Sequence, residues 1–99
     1  MRALRDAYGD VATHVLELFE KTAADTIGDL RTAMAAGDGE ETRRLAHRLK
    51  GSAHNVGAVG MADLAAEVEA APDEPHAAFA RLEAAFGPTC TALRDALVA

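Results

Sequence analysis

The sequence predicts an all-α fold: an antiparallel, up-down four-helix bundle with a short additional N-terminal helix lying across one end. Three observations carry this expectation. Apolar residues recur at the three- and four-residue spacing of amphipathic helices through most of the chain. The glycines and prolines that could end a helix lie mainly between those stretches. Abundant alanine favours helix and close approach of helix axes, while aromatics make up only 4% of the residues and tryptophan is absent. A core with so many alanines buries less apolar area than leucines would, so modest stability is expected. Ninety-nine residues suffice for one domain, spanning residues 1–99.

Met1 to Tyr8 predicts the short leading helix, which Gly9 ends before Asp10 caps the next. From there Val11, Val15, Leu18, Phe19, Thr22, Ile27, Leu30 and Met34 describe the inward face of a long helix ending near Ala36, with Gly28 a weak point inside it. Gly37-Asp38-Gly39 is a turn, and Asp38 with Glu41 has the spacing of a capping box that starts the following helix. That helix should stop at Gly57, the residue type favoured for a left-handed C-terminal cap. A further helix is expected from about Val59 to Ala71, with Met61, Leu64, Ala65 and Val68 inward and Pro72 closing it. The last stretch, Glu74 to Val98, carries Phe79, Leu82, Phe86, Leu93 and Leu97 on one face. Gly87-Pro88 should interrupt or kink it, because proline lacks the helical donor and its ring crowds the preceding turn.

The strongest functional signal lies in residues 46 to 58, Ala-His-Arg-Leu-Lys-Gly-Ser-Ala-His-Asn-Val-Gly-Ala. Positions i, i+3 and i+4 share one helix face, so His47, Lys50 and Gly51 form a single stripe. Leu45, Leu49, Ser52, Ala53 and Val56 follow the spacing of a core-facing side, and at about 100° per residue His47 lies roughly opposite the centre of that arc. His47 should therefore face solvent. A solvated surface histidine need have no role, but Gly51 weighs against that reading. Glycine within a helix costs roughly 0.5–1 kcal/mol relative to alanine, and in so alanine-rich a chain its presence implies close approach of something to the backbone.

Such a stripe suits phosphoryl transfer through an imidazole. An exposed histidine is substantially unprotonated near neutral pH, and a ring nitrogen then offers a lone pair for in-line attack on phosphorus. Lys50 would place positive charge beside the phosphoryl oxygens, and Gly51 would leave room for a partner's active site. Arg43, Arg44 and Arg48 enlarge the positive field, although a charge run is often only a solvated face.

These residues resemble a known family. Ala46-His47-Arg48-Leu49-Lys50-Gly51-Ser52-Ala53, continued by Asn55-Val56-Gly57-Ala58, is similar to the signature of the histidine-containing phosphotransfer (HPt) family. Upstream, Gly9-Asp10, Leu18-Phe19, Leu30, Ala33 and the Gly37-Asp38 turn fall where that family places its second helix and the turn before the histidine helix. Downstream, Leu64 and Glu69 fit its fourth, so the resemblance covers residues 4 to 70 well and the remainder loosely. It implies that His47 accepts a phosphoryl group and exchanges it with an aspartate of a response-regulator receiver domain in a two-component phosphorelay. By the same resemblance Lys50 stabilises the phosphoryl group, Gly51 permits docking, Ser52 packs against the bundle, and Glu69 falls where some members place a polar side chain that hydrogen-bonds the histidine. Arg43, Arg44, Arg48 and His54 would belong to the partner-binding surface. The implied partners are receiver domains and a hybrid sensor kinase, with the chain itself a monomer. The receiver would bring most catalytic groups and a Mg²⁺ ion, so no cofactor is expected on this chain. A module of another class, an adaptor that regulates a receiver or kinase by occupancy alone, would need no nucleophile beside a lysine and a glycine.

The remaining features narrow the class. No phosphate-cradling glycine loop occurs, so the chain is expected neither to bind ATP nor to phosphorylate itself. The formal charge of −6 argues against nucleic-acid binding. No apolar run approaches membrane-spanning length and no signal-peptide pattern opens the sequence, so a cytoplasmic location is expected. Cys90 is the only cysteine and reads as a small core residue. His54 lies about 10 Å along the helix from His47 but lacks a following lysine and glycine; His14 and His76 have no such company either. Without a Glu-x-x-His pattern, no metal site is expected.

Overall fold

A computed structural model describes the backbone of residues 2–98 and the side chains of residues 11–97. Four helices account for nearly all of it: α1 (Arg2–Ala35), α2 (Gly39–Asn55), α3 (Val59–Ala70) and α4 (His76–Val98). Each packs on its neighbour in the chain and α4 returns to α1, while among the described residues the backbones of the diagonal pairs α1–α3 and α2–α4 do not approach closely. Ion pairs across the closing seam join Arg94 to Glu20 at 2.5 Å and Arg31 to Glu83, so numbering rises along α1 as it falls along α4. This is the up-down antiparallel arrangement expected from four amphipathic stretches joined by short turns.

The turns that bound α2 fix the position of the candidate site. Asp38 caps the start of α2, its side chain accepting from the Glu41 backbone N–H at 3.0 Å. The reciprocal half of a capping box is absent, because the Glu41 carboxylate pairs with Arg44 instead. At the other end Gly57 N–H donates to the His54 carbonyl and Ala58 N–H to the Ala53 carbonyl, the two bonds of a Schellman motif. Gly57 has φ of +78°, and Gly37 repeats the arrangement after α1 with φ of +69°. Gly57→Ala is expected to destabilise the fold by about 1–2 kcal/mol, because a Cβ is strained in the left-handed region. Urea unfolding would measure it.

The core is built from all four helices. Leu30, Leu49, Met61, Val68 and Leu82 are its largest wholly buried apolar side chains, with alanines 23, 46, 53, 62 and 65 filling the spaces between helix axes. The only buried polar side chains among the described residues, Thr26 and Thr42, each donate to a carbonyl four residues back, at 2.8 Å. Cys90 is a buried, free thiol, as its reading as a core residue implied; burial, then Glu20, push its pKa up.

Three features differ from expectation. There is no separate N-terminal helix: α1 runs unbroken from Arg2 through Gly9 and Asp10. A single helical glycine costs only about 1 kcal/mol, which a 34-residue helix can bear. The inward face of the first part of α1 is also not the expected one. Phe19 is buried as expected and Leu16 joins it in the core, whereas Val11, Val15 and Leu18, expected inward, are exposed. Finally, α4 passes through Gly87-Pro88 without interruption. Pro88 leaves the Ala84 carbonyl without its helical donor, but Ala84, Gly87 and Pro88 all lie on the exposed side, where water can satisfy that carbonyl. Leu97, expected inward, is 40% exposed, while Phe86 and Leu93 are partly buried against the core.

Candidate functional site

His47 stands in the middle of α2, with Leu45, Ala46 and Leu49 beside it turned into the core. That packing fixes the rotation of the helix, and the side chain of His47 is accordingly 69% exposed. Gly51, one turn on, is exposed, and a Cβ built there meets nothing within 4 Å. No packing within the described chain requires glycine at that position.

The third element of the site comes from α3, the helix α2 packs on most extensively. Val68 is wholly buried, and the next residue, Glu69, is thereby directed along the α2–α3 groove. One carboxylate oxygen, Oε2, lies 2.5 Å from His47 Nδ1; the other, Oε1, accepts from Lys50 Nζ at 2.7 Å. Glu69 thus bridges the histidine and the lysine. The Lys50 hydrogen bond holds the Glu69 carboxyl below the usual carboxylate range; partial burial opposes this, and the His47 hydrogen bond and the nearby Lys50 charge add to it.

This geometry has a direct chemical consequence. A carboxylate can only accept, so the hydrogen at Nδ1 of His47 is directed to Glu69. The neutral ring then carries its lone pair on Nε2, which has no hydrogen-bond partner among the described residues. An exposed, oriented nitrogen nucleophile results, with an ammonium and a carboxylate at its base.

The linkage follows from the direction of the Glu69 shift. Its folded pKa lies below its unfolded value, so its contribution to stability is present above the ordinary carboxylate value of 4.5 and is lost as pH falls through the native one. The stability difference between the wild type and Glu69→Gln should therefore shrink on acidification below that value. Chemical denaturation as a function of pH reads this directly.

The other residues singled out in the sequence are less closely gathered. Arg43, Arg48 and His54 are exposed on α2, with no carboxylate partner among the described residues. Arg44 is also exposed but turns to Glu41, whose hydrogen bond raises the guanidinium pKa further. This pairing was available from the three-residue spacing of Glu41 and Arg44 and was not drawn from it. Ser52 is half-buried, while His14 and His76 are exposed and far along the chain from the stripe. Among the described residues no group of three His, Cys, Asp or Glu side chains is arranged to hold a metal ion, and no helix is long and apolar enough to cross a membrane.

A family model, Hpt domain, matches residues 14–98 of this chain. The match includes α4, where the sequence resemblance was loose, and begins after the first turns of α1. No curated protein and no solved structure matches the chain.

Proposed function

The chain belongs to the Hpt domain family of phosphocarriers in two-component phosphorelays, and from that premise we infer that His47 is its phospho-accepting residue, exchanging a phosphoryl group with an aspartate of a response-regulator receiver domain. The observation that supports this reading is the pairing of His47 Nδ1 with Glu69 Oε2, which leaves Nε2 as the free, solvent-facing nucleophile.

In the transfer, the Nε2 lone pair attacks the phosphorus of the receiver's aspartyl phosphate. The bond from phosphorus to the aspartyl oxygen breaks, and the carboxylate departs with the electron pair. Nδ1 keeps its hydrogen throughout. Positive charge develops on the ring as the P–N bond forms, and it develops against the Glu69 carboxylate, which is already in place and needs little reorganisation. Glu69 is in this sense a positioning residue: it selects the tautomer and holds the ring. Lys50 starts on Glu69, and the incoming phosphoryl oxygens offer its ammonium a second anionic partner. Gly51 admits the receiver's active-site rim, and Arg43, Arg44, Arg48 and His54 form the surface around it. The receiver brings Mg²⁺ and most of the catalytic groups, and a hybrid sensor kinase is the upstream source of phosphate. As a member of a family of phosphocarriers, the chain carries phosphate and does not generate it.

Lys50→Ala should slow transfer from a phosphorylated receiver by about 10- to 100-fold while leaving His47 able to be labelled, because one charge-stabilising contact is lost and the acceptor is not. Rapid-quench measurement of receiver dephosphorylation tests this. An unchanged rate would remove Lys50 from the reaction.

A further inference from the structure

We propose that Arg43 and Arg48 are the residues that draw an acidic protein surface onto His47 and orient it there, so that partner choice depends on charge at these two positions. The proposal rests on the reading of His47 as the phospho-accepting residue. It adds what the partner must present and which side chains meet it.

The distribution of charge along the chain is the first observation. The sequence holds 16 acidic and 10 basic residues, for a formal charge of −6, yet residues 42–62 contain no aspartate or glutamate. Arg43, Arg44, Arg48 and Lys50 all fall within that stretch, as do His47 and His54. A molecule that is acidic as a whole therefore turns a basic surface outward around its nucleophile.

The pairing of the cations is the second. Among the described residues Arg31, Arg81 and Arg94 each meet a carboxylate of another helix, Arg44 turns back to Glu41, and Lys50 is held by Glu69. Arg43 and Arg48 are exposed and make no such pair, a condition that only Lys21 of α1 shares among the described residues. Glu40 precedes Arg43 by three residues, the spacing at which Glu41 holds Arg44, but makes no bond to it. Arg48 has no acidic residue three or four positions away in either direction. Stability does not account for the arrangement, because Arg44 and Arg48 stand four residues apart on one helix, where like charges repel.

The placement of the two arginines suits docking. Arg43 lies one turn before His47 on the same face, and Arg48 follows His47 about 100° round the helix, on the side away from Lys50 and Glu69. The imidazole thus has a cation on three sides. Lys50 is engaged by Glu69 and, in transfer, by the phosphoryl oxygens, which leaves the two arginines to the partner. The surface that fits them carries carboxylates around its reacting aspartate, as a partner that binds Mg²⁺ must. Rim charges of this kind act on encounter and orientation more than on the bond-forming step.

Steady-state transfer from a phosphorylated receiver domain, measured at about 50 mM and about 0.5 M salt, tests the proposal, because exposed charges are largely screened at the higher value. Arg43→Ala/Arg48→Ala should lower kcat/KM by about 3- to 30-fold at low salt, through KM rather than kcat, and the difference from wild type should nearly vanish at high salt. Arg43→Lys/Arg48→Lys should recover most of the loss. Arg31→Ala/Arg94→Ala removes the same amount of charge from the α1–α4 seam and should change kcat/KM by less than about 2-fold. An unchanged kcat/KM in the first variant would overturn the proposal, as would a loss that persists at high salt or an equal loss in the seam variant. Each of these results, obtained with wild type labelled at His47, removes the proposal alone. A wild type that is never labelled at His47 removes the reading beneath it as well.

Discussion

Replacing His47 with glutamine is expected to abolish phosphoryl acceptance altogether while leaving the bundle intact. Glutamine is close in size and polar, but it offers no nitrogen lone pair capable of attacking phosphorus, because the amide nitrogen's pair is delocalised into the carbonyl. The side chain of His47 is mostly in solvent and contributes little to packing, so the stability change should lie within about 0.5 kcal/mol. The two effects are separable: incorporation of phosphate from a phosphorylated receiver should fall to background, and circular dichroism and the unfolding midpoint should hardly move. The same variant distinguishes a carrier from an adaptor that works by occupancy. Equal downstream output from wild type and His47→Gln would favour the adaptor.

The largest expected effect on stability is that of Leu49→Ala. Leu49 is 1% exposed and belongs to the core side of α2, between His47 and Lys50 in sequence. Truncation removes buried apolar area and leaves a cavity among side chains from other helices, which costs about 2–5 kcal/mol. For a domain of this length each kcal/mol corresponds to roughly 4–8 °C in Tm, so the midpoint should fall by more than about 8 °C. Leu49 has no part in the chemistry. Below its unfolding transition the variant should still accept phosphate, with any loss of rate attributable to looser positioning of His47.

The parts of the fold that sequence conveyed were those set by local backbone chemistry. Asp38 at the start of α2 and Gly57 after its end are recognisable because each satisfies helix-terminal groups within a few residues of itself. The solvent-facing direction of His47 was likewise legible, since Leu45, Leu49 and Ala53 leave α2 only one way to turn. Other features depended on how far the neighbouring helices extend. The stripe of Val11, Val15 and Leu18 has the spacing of a buried face, but whether it is buried depends on α2, which ends too soon to cover it. Gly9 was read as a helix end and Gly87-Pro88 as an interruption or kink because their intrinsic preferences oppose helix, yet neither position ends its helix. At Pro88 the exposed setting explains why.

The candidate site divides in the same way. The stripe of His47, Lys50 and Gly51 lies on one helix and was visible from spacing alone. Its link to Glu69 joins two helices and depends on the rotation of α3, which the burial of Val68 sets and periodicity leaves open to within a residue. The resemblance pointed to Glu69 on the helix after the histidine helix; the structure adds its contacts with His47 Nδ1 at 2.5 Å and with Lys50 Nζ, on which the proposed mechanism rests.

The most direct test is to incubate the purified chain with phosphorylated receiver domains and Mg²⁺, then locate the transferred phosphate by mass spectrometry under non-acidic conditions. The mechanism predicts a single phosphoryl group on His47. Phosphate on His14, His54 or His76 instead, or a chain that binds a receiver tightly and is never modified, would contradict it.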